Sequence, residues 1–356
     1  MDRIGQRWPA YSGAVPWALL VLGIVMDLAT PTEVSGGPLM VLACVAAGVI
    51  MSFRGTVRLV VAAFVIELLT GLSQGGFGDH QETIDLMYIV VAGLVALDLD
   101  RLLFRYGKRI SAVRTVAESV QLALLPDPPV RLAGYDIAAS YRAAQTEARI
   151  GGDLYAVHDS PWGVRVFIGD VRGKGMGAVS TVALLLGAFR EAAEDVPTLE
   201  ALGARLDRRM SREAAGLGEE LELEGFATAV LAEFPHGGQA VRLLNFGHPG
   251  PYLVADRHAR ALDAEVPNLP LGMSGFGQEV SPHQEHPFPP GSSLLFVTDG
   301  VTEARNSEGA FFDPARELEG MSCSSARAAV AGLLTRVDAW TNGVSTDDRA
   351  VLSVAH

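Results

Sequence analysis

The chain has 356 residues, room for a membrane-embedded part and one sizeable domain. Its formal net charge of −13, from 41 acidic and 28 basic residues, lacks the basic footprint that nucleic-acid binding needs. The two cysteines, Cys44 and Cys323, stand far apart in unlike surroundings, so neither a disulfide framework nor a zinc site is read from them.

Four apolar runs open the chain: Ala14 to Met26, Leu39 to Phe53, Leu59 to Leu72 and Leu86 to Leu97. Each falls somewhat short of the ~20 residues that span a bilayer, and their flanks can extend them. A cleaved signal peptide accounts for one such run, not four. Arg3 and Arg7 precede the first run, Arg54 and Arg58 separate the second and third, and Arg101, Arg105, Lys108 and Arg109 follow the fourth. The loops Asp27 to Pro38 and Ser73 to Asp85 hold no Lys or Arg. The positive-inside rule then predicts a four-helix transmembrane region over residues 1–98 with both termini in the cytoplasm. Glu67, inside the third run, is read either as a functional carboxylate or as a protonated or interface-paired residue near a helix end.

From Leu99 the apolar residues fall at Leu99, Leu103, Tyr106, Ile110, Val113, Ala117, Val120 and Leu124, in steps of four and three. That spacing predicts a helical coiled-coil linker over residues 99–126 and a homodimer through its seam. The alternative is a single amphipathic helix packed on its own domain. Lys108, Arg109, Arg114, Glu118 and Gln121 are expected on the other faces. Pro126, Pro128 and Pro129 end the helix.

Residues 127–356 are expected to form the soluble domain. Strands are predicted at Tyr135 to Ser140, Gly163 to Gly169, Phe226 to Phe234, Ala240 to Phe246, Pro251 to Ala255, Ser293 to Thr298 and Arg349 to Val354. Helices are predicted at Ala178 to Ala193, Leu199 to Ala214 and Ser325 to Asn342. Short turns between strands indicate antiparallel sheets with helices outside, an α+β arrangement. Val164, Val166 and Ile168 alternate with Arg165, Phe167 and Gly169, the period of a strand with one buried face. The stretch Gly218 to Gly225 reads as a solvated acidic loop.

Aspartates recur at the strand ends. Asp170 follows one strand and precedes the glycine-rich loop holding Gly173, Gly175 and Gly177; Asp299 follows another; Asp347 and Asp348 begin the last. If the last strand runs antiparallel to the others, these carboxylates converge on one rim, with Asp153 nearby. Without cations such a cluster repels itself. Magnesium or manganese suits all-oxygen ligands and removes that cost. A pair of such ions supports hydrolysis at phosphorus.

The motifs G-G-D-L-Y, G-D-V-R-G-K-G, N-F-G-H-P-G-P-Y, L-P-L-G-M, T-D-G-V-T-E-A-R-N and T-D-D, in this order, resemble the SpoIIE-like branch of the PPM-type (protein phosphatase type 2C) serine/threonine phosphatases. The resemblance runs from about Ala117 to the C-terminus. It implies an α-β-β-α sandwich with two Mn²⁺ or Mg²⁺ ions. It implies that Asp170 bridges both ions, that the Val171 carbonyl binds one, that Asp299 and Asp347 complete the other, and that Asp153 ligates or supports the first. It further implies a bacterial inner-membrane enzyme whose cytoplasmic domain dephosphorylates a phosphoserine protein, an anti-sigma-factor antagonist. Two positions depart from the pattern. Ala156 stands where relatives often carry aspartate. Arg172 stands where type 2C enzymes often carry a histidine, and it either contacts the substrate phosphate or lies solvated. Lys174 is expected to be solvated. His248 is a candidate acid or a turn-shaping residue, Glu303 is expected to order the loop after Asp299, and Thr228 and Asn245 are expected to be structural. A catalytically inactive receptor on the same fold is the competing reading. R-I-G-G-D-L-Y also echoes the diguanylate cyclase hairpin, but Leu154 stands where that family needs an acid.

Overall fold

A computed structural model describes residues 12–29, 35–73, 80–143, 151–173, 175–215, 225–277, 279–321, 325–345 and 347–356. Arg3, Arg7, Lys174, the acidic stretch 218–224 and Cys323 lie outside the described residues, as do the side chains of Ile110, Val113 and Ala117. The chain divides into two compact units, Met1–Ala112 and Val113–His356.

Helices α1 (Val15–Ala29), α2 (Gly37–Ile50), α3 (Phe53–Ser73) and α4 (His80–Leu124) occupy the four apolar runs. The second run is interrupted after Ile50, so Phe53 opens α3. α4 continues from the fourth run through the heptad region and stops just before the prolines. Small residues let the first unit's helices approach closely. Ala43, Cys44, Ala47, Ala63, Ala92 and Ala96 are buried, and a Cβ on Gly48 would strike the Ala96 backbone. The large apolar side chains Val21, Leu22, Leu42, Val61, Val65, Leu69, Val91 and Leu94 are exposed. Among the described residues two helical segments, Ser12–Ala29 and Met176–Asp195, are long and apolar enough to cross a membrane. The second of these is a core helix of the other unit.

The second unit is a sandwich of two antiparallel sheets between helices. One sheet takes the order β1 (Arg131–Leu132), β2 (Tyr135–Arg142), β11 (Arg349–Ala355), β10 (Ser293–Val297), β7 (Tyr252–Ala255), β8 (His258–Ala261). The other takes the order β3 (Asp153–Ser160), β4 (Gly163–Val171), β5 (Ala227–Pro235), β6 (Ala240–Phe246), β9 (Gln284–Pro287). Helices α5 (Met176–Asp195) and α6 (Leu199–Ala215) cover the second sheet. A one-turn helix α7 (Asp299–Thr302) follows β10. Then come α8 (Pro314–Leu318) and α9 (Ala326–Trp340), which pack on the first sheet.

The predicted strands and helices recur here within about two residues at their ends; β1, β3, β8, β9, α7 and α8 are additional to them. β4 also differs from expectation, because every residue from Gly163 to Gly169 is buried. One face packs on α5, where Phe167 meets Phe189 with ring centroids 5.3 Å apart, and the other faces the first sheet. A strand covered on both faces loses the exposed half of its alternation. Arg165 is tolerated there because Glu233 on β5 accepts from its Nε and Nη2 at 2.9 and 2.8 Å, while the carbonyls of Ala193, Val196 and Pro197 take its other donors.

Candidate metal centre

The site begins with the register of β3 and β4. Gly152 pairs with Val171 through Val171 N–H donating to the Gly152 carbonyl at 3.0 Å. The next pair, Asp153 and Asp170, is therefore a non-hydrogen-bonded one. Such pairs hold their Cα atoms ~4.5 Å apart with both side chains on one face. Two carboxylates are thus forced together by register alone. The third comes from the opposite sheet. Asp299 does not end β10 but is the first residue of α7, so the rim is built across the sandwich rather than along one sheet edge. Carboxylate oxygens of Asp153, Asp170 and Asp299 lie within 4.8 Å of one another.

Thr298, buried beside Asp299, ties the two sheets together at this point. Its hydroxyl donates to Asp153 Oδ2 at 2.7 Å and accepts from Ala350 N–H at 2.9 Å. Sequence reasoning missed Thr298; the signal was a hydroxyl placed directly before a strand-end aspartate. Burial pushes the Asp153 carboxyl well above the usual carboxylate range; the charge of Asp170 adds to this, the Thr298 hydrogen bond opposes it, and Asp299 and Asp348 raise it further.

Asp347 and Asp348 take unequal places. Both line the same cavity. Asp347 is exposed, outside the three-carboxylate cluster, and its Oδ1 accepts from the Asp348 N–H at 3.1 Å. Asp348 is buried, and its charge acts on Asp153. The two glycines before Asp153 are dictated by space. A Cβ on Gly151 would strike the Asp348 carboxylate, and one on Gly152 would strike both the Val171 carbonyl and the Asp170 carboxylate. Oxygen donors therefore crowd this point from three sides. An all-oxygen set of clustered carboxylates plus a backbone carbonyl fits a hard divalent cation, and among the described residues no nitrogen or sulfur donor belongs to the cluster.

The cavity over the cluster measures about 600 Å³. Arg172 stands on its wall, its guanidinium 5.1 Å from the Phe226 ring centroid and its N–H bonded to the Phe226 carbonyl at 3.0 Å. His248 also lines it, but both ring nitrogens are engaged. Nε2 donates to the Val297 carbonyl at 3.1 Å, which leaves Nδ1 to accept from the Thr228 hydroxyl at 2.9 Å. Burial lowers its pKa to about 4, partly opposed by the Val297 carbonyl. His248 is therefore a neutral brace between β5 and β10. Asn245 clasps its backbone in both directions, at 2.8 and 2.9 Å. Glu303 is exposed on the wall, its N–H bonded to the Asp299 carbonyl at 2.6 Å. Ala156 is buried in the core on β3. The helix preceding the domain also differs from expectation. Gln121 is buried, not on an outer face, and its amide Nε2 reaches the carbonyls of Gly151 at 3.1 Å and Asp153 at 3.4 Å.

Solved structures share this architecture. The PP2C domain of SiaA from Pseudomonas aeruginosa superposes with a TM-score of 0.57 at 18% identity, covering 70% of this chain and 98% of that one. The phosphatase domain and regulatory fragment of the cell fate determinant SpoIIE from Bacillus subtilis gives 0.53 at 17%, covering 62% of this chain and 63% of that one. The RsbU and RsbW domains of a Mycobacterium tuberculosis protein give 0.50 at 24%, covering 65% and 61%. At these identities the likeness speaks for the fold. The model of the family Stage II sporulation protein E (SpoIIE) matches residues 160–356, more than half of the chain. With the fold of the PP2C domains and a carboxylate cluster at its rim, the chain belongs to the SpoIIE family.

Proposed function

We propose that the chain is a membrane-anchored, metal-dependent protein serine/threonine phosphatase. The observation that carries this is the convergence of Asp153, Asp170 and Asp299 from two sheets at the floor of an open cavity, in a chain of this family. Asp170, the Val171 carbonyl, Asp153, Asp299 and Asp347 would hold two ions, Mn²⁺ or Mg²⁺. When bound, the ions supply Lewis acidity that lowers the pKa of water and offsets phosphoryl charge. Asp170 would contribute charge to both ions, and Thr298 occupies one Asp153 oxygen, leaving the other for a cation. Arg172, steadied on Phe226, presents a planar fork to a phosphate at the cavity mouth. His248, with both nitrogens occupied, has no proton to deliver to a leaving group.

The substrate is a phosphoserine protein, and the family favours an anti-sigma-factor antagonist. Membrane anchoring is supported by the packing of the first unit, where small residues join Leu20, Met40, Leu59 and Ile89 inside while many large apolar side chains face outward. The basic residues Arg54, Arg58, Arg101, Arg105 and Lys108 mark the cytoplasmic ends of a four-span arrangement. Dimerisation through α4 is supported by its length and its heptad spacing.

The purified chain should hydrolyse a phosphoserine protein in Mn²⁺ and stop when chelator is added. Asp170→Asn should lose at least ~10²-fold in kcat, because one charge serves two ions. Full activity in that variant overturns the assignment. A wild-type chain that binds Mn²⁺ but hydrolyses no phosphoprotein supports an inactive scaffold instead.

A further inference from the structure

Among the described residues, the strand that carries Asp153 is the edge strand of its sheet, paired with β4 alone. The register fixes which of its groups are left over. Gly152 turns its carbonyl toward β4, so Gly151 and Asp153 turn theirs off the edge. Those two carbonyls need a donor from elsewhere. The donor is the amide of Gln121, in the last turn of α4, 3.1 Å from Gly151 O and 3.4 Å from Asp153 O. The surrounding contacts make this a seated side chain rather than a passing one. Gln121 is 1% exposed. Leu125, just past the helix, is buried in the domain core, with Leu124 packed against that core. The Tyr155 hydroxyl, two residues along β3, donates to the Leu125 carbonyl at 3.3 Å.

We propose that Gln121 is a positioning residue of the metal centre. Its amide holds the Gly151–Asp153 backbone at the height where Asp153 meets Asp170 and Asp299. The Asp153 carboxylate is then fixed from both ends, by Thr298 at its oxygen and by Gln121 at its own carbonyl. The end of α4 thereby acts on cation affinity through one side chain. This inference rests on the metal-dependent reading of the site.

The test is Mn²⁺ titration of the full chain in detergent by calorimetry, with apo-state melting measured alongside. Gln121→Met keeps the volume and removes both donors; Gln121→Glu sets a carboxylate against two carbonyls. Each should weaken Mn²⁺ binding roughly 10- to 100-fold, the cost typical of losing an outer partner of a metal ligand, while the apo melting temperature stays within a few degrees of wild type. Leu124→Ala serves as the packing control: it should lower the melting temperature and leave Mn²⁺ affinity within about two-fold. Wild-type affinity in Gln121→Met, or an equal loss in Leu124→Ala, overturns the proposal. So does failure of both Gln121 variants to fold, which would make the residue simply structural. A wild-type chain that binds no Mn²⁺ instead removes the metal reading on which the proposal stands.

Discussion

At the scale of single residues, burial governs the protonation of two groups at the site, Asp153 and His248. His248 is the clearest case. Its imidazole titrates near 6.5 when unperturbed and at about 4 in the folded chain, because burial disfavours the charged ring. Between these values the unfolded state binds the extra proton, so stability rises with pH. The contribution from a neutral His248 is complete above pH 6.5 and is lost as pH falls toward 4. The shift amounts to ~3 kcal/mol at most. Urea unfolding of the wild type should therefore weaken from pH 6.5 to 4 by more than that of His248→Asn. Parallel pH profiles for the two proteins would show that the buried ring is not kept neutral. Arg172, by contrast, lies exposed on the cavity wall with its guanidinium 5.1 Å from the Phe226 ring centroid.

At the scale of elements, two features decide behaviour. The first is the ion pair between Arg165 on β4 and Glu233 on β5, both almost fully buried. Arg165 also caps the end of α5 by donating to Ala193 O and Val196 O, so one side chain joins strand, helix and the α5–α6 turn. Removing one partner strands a buried charge. Glu233→Ala should cost about 3–5 kcal/mol in unfolding free energy, whereas half-buried Arg205, paired at the surface with Glu191 and Asp195, should cost under ~1 kcal/mol when replaced by Ala. Chemical denaturation separates the two; similar small losses would mean the buried pair is solvated. The second feature is the 45-residue α4. One residue inserted near Ser111 turns everything beyond it by ~100°, and seven nearly restore the phase. Phosphatase activity should change at least several-fold with the single insertion and return with the seven-residue one. Equal activities would reduce α4 to a tether.

At the scale of the whole molecule, the chain holds a unit with outward apolar faces and a unit built as a two-sheet sandwich. The basic residues set the expected orientation. Reporter fusions at Asn342 and between Thr56 and Arg58 should report cytoplasm, and fusions near Gly36 or Gly76 the outside. An external C-terminal domain would contradict a cytosolic phosphoprotein substrate along with the topology.

What the sequence by itself determined was most of the elements and the group of candidate carboxylates. Periodicity located the four N-terminal helices, α5, α6, α9 and seven strands, since alternation and 3.6-residue repeats are local properties. Strand ends and glycine neighbours, visible in one dimension, picked out Asp153, Asp170, Asp299, Asp347 and Asp348 as one group, of which the first three form the cluster. Only the tertiary structure decided the rest. It showed Asp299 opening a helix on the opposite sheet, Asp347 exposed while Asp348 is buried, and His248 with no free nitrogen. Burial of both faces of β4 and the inward turn of Gln121 were equally out of reach. Each depends on which group another element brings alongside, and neither spacing nor composition carries that information across 30 residues for Gln121 and Gly151, or 145 for Asp153 and Thr298.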